Sequence, residues 1–171
     1  MFMYALYEYF PMRNIKSASF RQLDINRRIL DFKDGRNYAS RWAAHMMAYC
    51  LQCLDLRDVV IVCLPASSQL SYVRRFRRFT KELCRLTHAV DGFSMVTIHS
   101  CREKRHLSKE RSHISCMSNA SIDESIRGRK VLVVDDICTS CSSAKEFISF
   151  LSAVGAEVVM AVFLAKTKQY Y

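Results

Sequence analysis

The chain has 171 residues, half of them hydrophobic, a quarter charged and 11% aromatic. Four glycines and two prolines exclude a collagenous, low-complexity or turn-dense all-β chain, and mixed charge with ample apolar content excludes disorder. Lys and Arg number 26 against 16 acids, so the net charge of +10 points to anionic partners: phosphates, nucleic acid or acidic surfaces.

Met1–Phe10 is apolar but carries Glu8, with no basic stretch before it and no small-residue cleavage site, so it does not read as a signal peptide. No apolar run approaches the roughly 18 residues of a membrane span. The eight cysteines are scattered through segments with the pattern of helix, strand and loop cores. A disulfide framework belongs to shorter secreted chains, so they are expected to be reduced thiols in a cytoplasmic protein. No repeat or linker divides the chain, which reads as one domain over residues 1–171.

Arg28–Phe32 reads as a strand. Asn37 is placed to cap a helix whose apolar face runs Ala39, Trp42, Ala43, Met46, Cys50, Cys53 and Leu54. Asp58–Leu64 is a buried strand, closed by the turn Pro65-Ala66-Ser67-Ser68. The next helix reaches about His88, with Tyr72, Phe76, Phe79, Leu83 and Leu86 on one face and Arg74, Arg78, Lys81 and Arg85 on the other. Gly92–Ile98 is expected to be a strand. Residues 101–129 are polar, serine-rich and without hydrophobic periodicity; a segment that long in a compact domain reads as a lid.

Val131–Val134 is an apolar run closed by Asp135 and Asp136, typical of a strand buried on both faces of a parallel sheet. The small-residue turn Cys138-Thr139-Ser140-Cys141-Ser142-Ser143 follows. Ala144, Phe147, Ile148, Leu151 and Val154 then mark one helix face, Gly155 sits at a C-terminal cap position, and Glu157–Leu164 is another strand. Strand, turn, helix, strand is a βαβ unit, and the whole chain is α/β with a mainly parallel sheet flanked by helices.

Parallel sheets bind ligands at the carboxyl ends of their strands. Asp135, Asp136 and the hydroxyls of Thr139, Ser140, Ser142 and Ser143 therefore sit at a ligand mouth, where a helix start suits a phosphate monoester. The acids would grip sugar hydroxyls or hold a divalent cation beside a polyphosphate. A plainer role remains open: acids that end a strand and serines that cap a helix.

These residues carry a resemblance. Val131–Ser143 (VLVVDDICTSCSS) resembles the phosphoribosyl-diphosphate (PRPP) signature of type I phosphoribosyltransferases. Upstream, Ile29–Gly35, a strand ending in Pro before an Arg-rich helix, and Leu107, Ser108 and Arg111 resemble the ComF-like (competence protein F) branch. The resemblance implies the type I fold with a mobile hood over about 101–129. It also implies transfer of ribose 5-phosphate from PRPP to a nitrogen nucleophile, a nucleobase or amine, with Mg²⁺ and release of pyrophosphate.

Carried over, Asp135 and Asp136 would hold the ribose 2- and 3-hydroxyls, and Cys138 to Ser143 would cradle the 5-phosphate. Ala66, Ser67 and Ser68 would face the pyrophosphate, helped by Arg102, Lys104 and Arg105 of the hood. Mg²⁺ would arrive on PRPP near the two acids, with no direct protein ligand. The chain departs from the pattern in two places. Cys141 stands where the family usually has Gly, and a helical φ there would accommodate it. Thr139 stands where 6-oxopurine enzymes carry an acid, which argues against purine salvage.

Cys50-Leu51-Gln52-Cys53 and Cys138-Thr139-Ser140-Cys141 together could supply four zinc thiolates or redox dithiols, but packed thiols are the expectation. The stripe Arg74, Arg78, Lys81 and Arg85 is expected to be a solvated face. With Arg75, Arg77 and the hood cations it could instead track nucleic acid. That is the alternative function: a non-catalytic PRPP- or nucleotide-sensing protein of the same fold that binds nucleic acid, as in DNA uptake by competent cells. A third is a pure interaction domain with a decayed signature. A homodimer is the usual expectation for a soluble oligomer.

Overall fold

The structure, a computed structural model, describes residues 2–11, 18–99 and 119–168. In chain order the elements are β1 (Phe2–Tyr9), α1 (Phe20–Lys33), α2 (Asn37–Leu51), β2 (Val59–Cys63), α3 (Gln69–Thr87), β3 (Val90–Asp91), β4 (Val96–Ile98), β5 (Ala120–Ile122), β6 (Lys130–Cys138), α4 (Ser142–Val154) and β7 (Glu157–Thr167). β1-β7-β6-β2-β3 form one sheet, and each of its paired strands runs parallel to its neighbour. The α/β class with a mainly parallel, helix-flanked sheet is therefore as expected.

The central strands are the apolar runs. Val59–Cys63 is buried throughout, as are Val131–Val134 and Ala161–Ala165. Only a sheet covered on both faces buries consecutive residues in this way. Right-handed crossovers put α3, which leaves β2, and α4, which leaves β6, on opposite faces. α1 and α3 pack on α2, and Phe32, Phe76 and Phe79 meet among these helices. Gly155 ends α4 at φ +96°, the left-handed cap the sequence points to.

Three expected elements differ. Arg28–Phe32 is not a strand but the second half of α1. Ser19 accepts from the Gln22 backbone N–H while the Gln22 side chain accepts from the Ser19 N–H, a reciprocal cap that starts the helix. Ile29 and Phe32 are then buried, with Asn26, on one helix face rather than alternating across a sheet.

Gly92–Ile98 is not one strand. Asp91 Oδ1 accepts the Phe93 N–H at 3.0 Å and turns the chain. Gly92 passes so close to β2 that a Cβ would lie 2.6 Å from Val60 Cγ1 and 2.7 Å from Ile61 O. After a 3-10 turn at Phe93–Met95, β4 pairs antiparallel with β5 in a separate two-stranded sheet.

Asn37 is the first residue of α2 rather than its cap; Arg36 precedes the helix and Asn37 accepts a hydrogen bond from Arg78. The helix buries Ala39, Ser40, Ala43, Ala44, Met47 and Leu51, a face turned from the expected one, and leaves Cys50, Cys53 and Leu54 exposed. Small residues on that face let α2 lie against α3. Of the segment 101–129, residues 119–129 contain β5, a 3-10 turn at Glu124–Ile126 and the fully buried Ile126; residues 101–118 lie outside the described residues.

Candidate functional site

From β2 the chain crosses by α3 outward to β3; from β6 it crosses by α4 the other way to β7. The carboxyl ends of β2 and β6 are thus a topological switch point, where two loops part and leave a crevice. Cys63 pairs with Val134, and the Leu64 N–H donates to Val134 O at 3.0 Å. This pairing sets the Pro65–Ser68 turn beside the turn that follows β6.

A cavity of about 180 Å³ opens there, lined by Asp135 and Thr139–Ser143 with Leu64 and Phe163. It is smaller than the roughly 300–1,000 Å³ of drug-sized ligand pockets and suits a phosphoryl group with part of a sugar. Thr139, Ser140, Ser142 and Ser143 are exposed at its mouth. Ser140 Oγ lies 2.9 Å from Ser142 Oγ, and Thr139 Oγ1 lies 3.1 Å from Thr167 Oγ1. Hydroxyls and N–H groups at a helix start form an anion cradle.

The expected helical φ at Cys141 is corrected: it is +57°, left-handed, with no side-chain cap on α4. Left-handed φ is the conformation in which Gly escapes a Cβ penalty. The expectation of reduced thiols is corrected too, because Cys138 and Cys141 form a disulfide across the turn. Cys138 is buried at the end of β6, so the bond ties the turn to the sheet. Cys50 and Cys53 are free and exposed.

The two acids turn to different sides of β6. Neighbouring strand residues point to opposite faces. Asp135 lines the cavity, its Oδ1 accepting the Asp136 N–H at 2.8 Å. Burial, and then the Asp136 charge, push its carboxyl well above the usual range. Asp136 is absent from the cavity lining and turns toward α3, where Arg75 Nη1 lies 2.9 Å from its Oδ2. That contact is an ion pair rather than an aimed hydrogen bond, for the buried Oδ2 accepts none. Oδ1 accepts the Ile137 N–H at 2.6 Å.

Arg75 is therefore a site-supporting residue that sequence reasoning places only in a nucleic-acid track. Its side chain is 15% exposed, its Nε donates to Lys33 O at 3.3 Å, and its guanidinium sits over the Phe76 ring. The available signal is Arg75 at i+3 from Tyr72 and beside Phe76, bordering the apolar face of α3.

On the neighbouring loop, Ala66 and Ser68 are half-buried and Ser67 is exposed. Ser68 Oγ accepts the Ser71 N–H at 3.2 Å and donates to Ser71 Oγ at 2.9 Å, capping α3. Arg74, Arg78, Lys81 and Arg85 lie on α3 and line cavities separate from this one. Arg102, Lys104 and Arg105 lie outside the described residues, as do Leu107, Ser108 and Arg111. Among the described residues no group of three or more His, Cys, Asp or Glu is placed to hold a metal ion. Among them, too, no helix is long and apolar enough to cross a membrane.

The family model for the phosphoribosyl transferase domain matches residues 39–171, from the first turn of α2 through β7. No curated protein matches the chain.

Proposed function

The chain belongs to the phosphoribosyl transferase domain family, and on that premise we propose that it binds PRPP at the crevice between β2 and β6. There it transfers ribose 5-phosphate to a nitrogen nucleophile, a nucleobase or amine. The observation that carries this reading is one cavity lined by both Asp135 and the hydroxyl turn Thr139–Ser143. The 5-phosphate lies among those hydroxyls and the first N–H groups of α4, where the helix dipole favours an anion. Asp135 meets the ribose diol.

In the reaction the C1–O bond breaks with its electron pair leaving on pyrophosphate. The nitrogen lone pair forms the new C1–N bond, and the nitrogen's proton passes to solvent or a base. Positive charge grows on the ribose, next to Asp135, and negative charge on the leaving group. Ala66, Ser67 and the N-terminal end of α3 border the leaving group, with Arg102, Lys104 and Arg105 assigned to it from the adjoining segment.

The residues fit Mg²⁺ carried on PRPP and not a resident ion. Asp135 offers a single carboxylate at the cavity, and the buried Oδ2 of Asp136 accepts no hydrogen bond but is neutralised by Arg75. Mg²⁺ would neutralise the departing pyrophosphate. The reading places the protein in the ComF-like branch and in the cytoplasm.

Calorimetry with PRPP and Mg²⁺, followed by pyrophosphate release across a panel of bases and amines, tests the proposal. Saturable binding that Asp135→Asn removes, with base-dependent release, is the expected result; no binding to the parent protein overturns it. A second reading, a non-catalytic PRPP sensor, is favoured by the removal of Asp136 from the cavity. It predicts the same binding with no release on any acceptor.

A further inference from the structure

Away from that crevice, the outer face of α3 carries charge that the reaction does not use. Arg74, Arg77, Arg78, Lys81 and Arg85 stand on this one helix against a single acid, Glu82. Arg74 and Arg78, Arg77 and Lys81, and Lys81 and Arg85 are i,i+4 neighbours, each a like-charge pair that disfavours the helix. Glu82, i+4 from Arg78 and i−3 from Arg85, is the one acid interleaved among them.

The charge is also concave. Arg41 of α2 joins Arg78, Lys81 and Arg85 around a cavity of about 610 Å³ whose lining also includes the acids Glu82 of α3 and Asp91 of β3. A second cavity of about 400 Å³, lined by Arg74 and Arg77, shares Arg78 and Lys81 with it. Neither shares a residue with the cavity at Asp135.

The acids nearby leave most of this charge unmatched. Glu82 is held by Arg85 at 2.8 Å and by His45 at 3.2 Å, and its carboxyl is drawn down to about 2 chiefly by the Arg85 hydrogen bond. Arg78 meets only the neutral side-chain oxygen of Asn37. Arg41, Lys81, Arg74 and Arg77 make no ion pair with an acid among the described residues.

We propose that the cavity between α2 and α3 is a second anion site, built for a phosphate-rich chain such as a di- or triphosphate group. No aromatic side chain lines either cavity. Single-stranded nucleic acid is usually held by base stacking on aromatics as well as by charge. The lining offers four cations and no ring on which a base could stack, so the phosphates and not the bases are recognised.

Titration of the ¹⁵N-labelled full chain with sodium tripolyphosphate at low salt tests this. The expected result is saturable shifts of the Arg41, Arg78 and Lys81 amides, with affinity falling as salt rises. Arg41→Ser with Lys81→Ser should weaken that set at least tenfold while leaving any response at Thr139–Ser143 unchanged. Both side chains are exposed, so an unchanged melting temperature shows that the variant is folded. Undiminished affinity in the variant, or no saturable shift at these residues, overturns the proposal. So does a single-stranded oligonucleotide that shifts the same amides more tightly than tripolyphosphate at equal phosphate concentration. The Thr139–Ser143 signals report the PRPP site separately, so failure of one reading is distinguishable from failure of the other.

Discussion

Two turns leave the carboxyl edge of the sheet side by side and use their small polar residues in opposite ways. After β2, Ser68 spends its hydroxyl on the start of α3, accepting from the Ser71 N–H. After β6, the residue before α4 is Cys141, which supplies no side-chain cap; only a long contact, Ser140 Oγ accepting the Ser142 N–H at 3.4 Å, serves the helix start, and the serines and Thr139 line a cavity. A capped helix start is satisfied from within; an uncapped one retains donors for a ligand. Local stability and ligand capacity are therefore exchanged between neighbouring loops of one edge, and the same division separates the two aspartates. Asp136 is committed to Arg75, whereas Asp135 faces the cavity.

The division breaks most visibly at Arg75. Arg75→Ala leaves Asp136 buried without a counter-ion, and losing one partner of a buried pair costs about 3 kcal/mol or more. At roughly 2–4 °C per kcal/mol for a chain of this length, calorimetry should show a melting temperature lower by about 6–12 °C. A change of under about 2 °C would mean that the pair is not structural.

Asp135→Asn should move stability the other way. Its folded pKa is raised, so the carboxyl favours the fold below the unfolded value near 3.9 and loses that contribution as pH rises through the folded value. Asn mimics the protonated form. The variant's advantage in melting temperature should thus grow from near zero at pH 4 toward neutral pH. Each tenfold rise in proton affinity that folding imposes on Asp135 adds about 1.4 kcal/mol to that advantage.

Ser68→Ala and Ser142→Ala test the two turns directly. The first should cost about 1 kcal/mol of stability, the usual worth of a helix cap, and change PRPP affinity little. The second should weaken PRPP binding several-fold in calorimetry while leaving the melting temperature nearly unchanged. A reversal of the two effects would invert the comparison.

The smallest effect is expected at Cys141. In reducing buffer, Cys141→Gly relieves a left-handed φ and should raise stability by up to about 1 kcal/mol, with phosphate affinity unchanged or tighter. A sharp loss of affinity would give the thiol a role in the ligand site.

Much of this is legible in the primary structure. The runs at Val59–Cys63 and Val131–Val134 read as buried strands because only apolar residues survive burial on both faces, and the Cys138–Ser143 turn announces the helix start. α1 is misread because β-branched and aromatic residues at Ile29–Phe32 fit either period, although Ser19 and Gln22 carry a capping signal. Gly92–Ile98 is misread because its break depends on contact with β2, which a local pattern does not contain.

By itself, then, the amino-acid order determined the α/β class, the parallel strands and the hydroxyl turn, since each rests on periodicity or local backbone preference over a few residues. The tertiary structure alone decided which aspartate lines the cavity, that Arg75 neutralises the other, that Cys141 is left-handed and bonded to Cys138, and that α2 closes a basic cavity on α3. Each of these depends on groups brought together by strand pairing and helix packing, and such proximity has no fixed spacing along a chain.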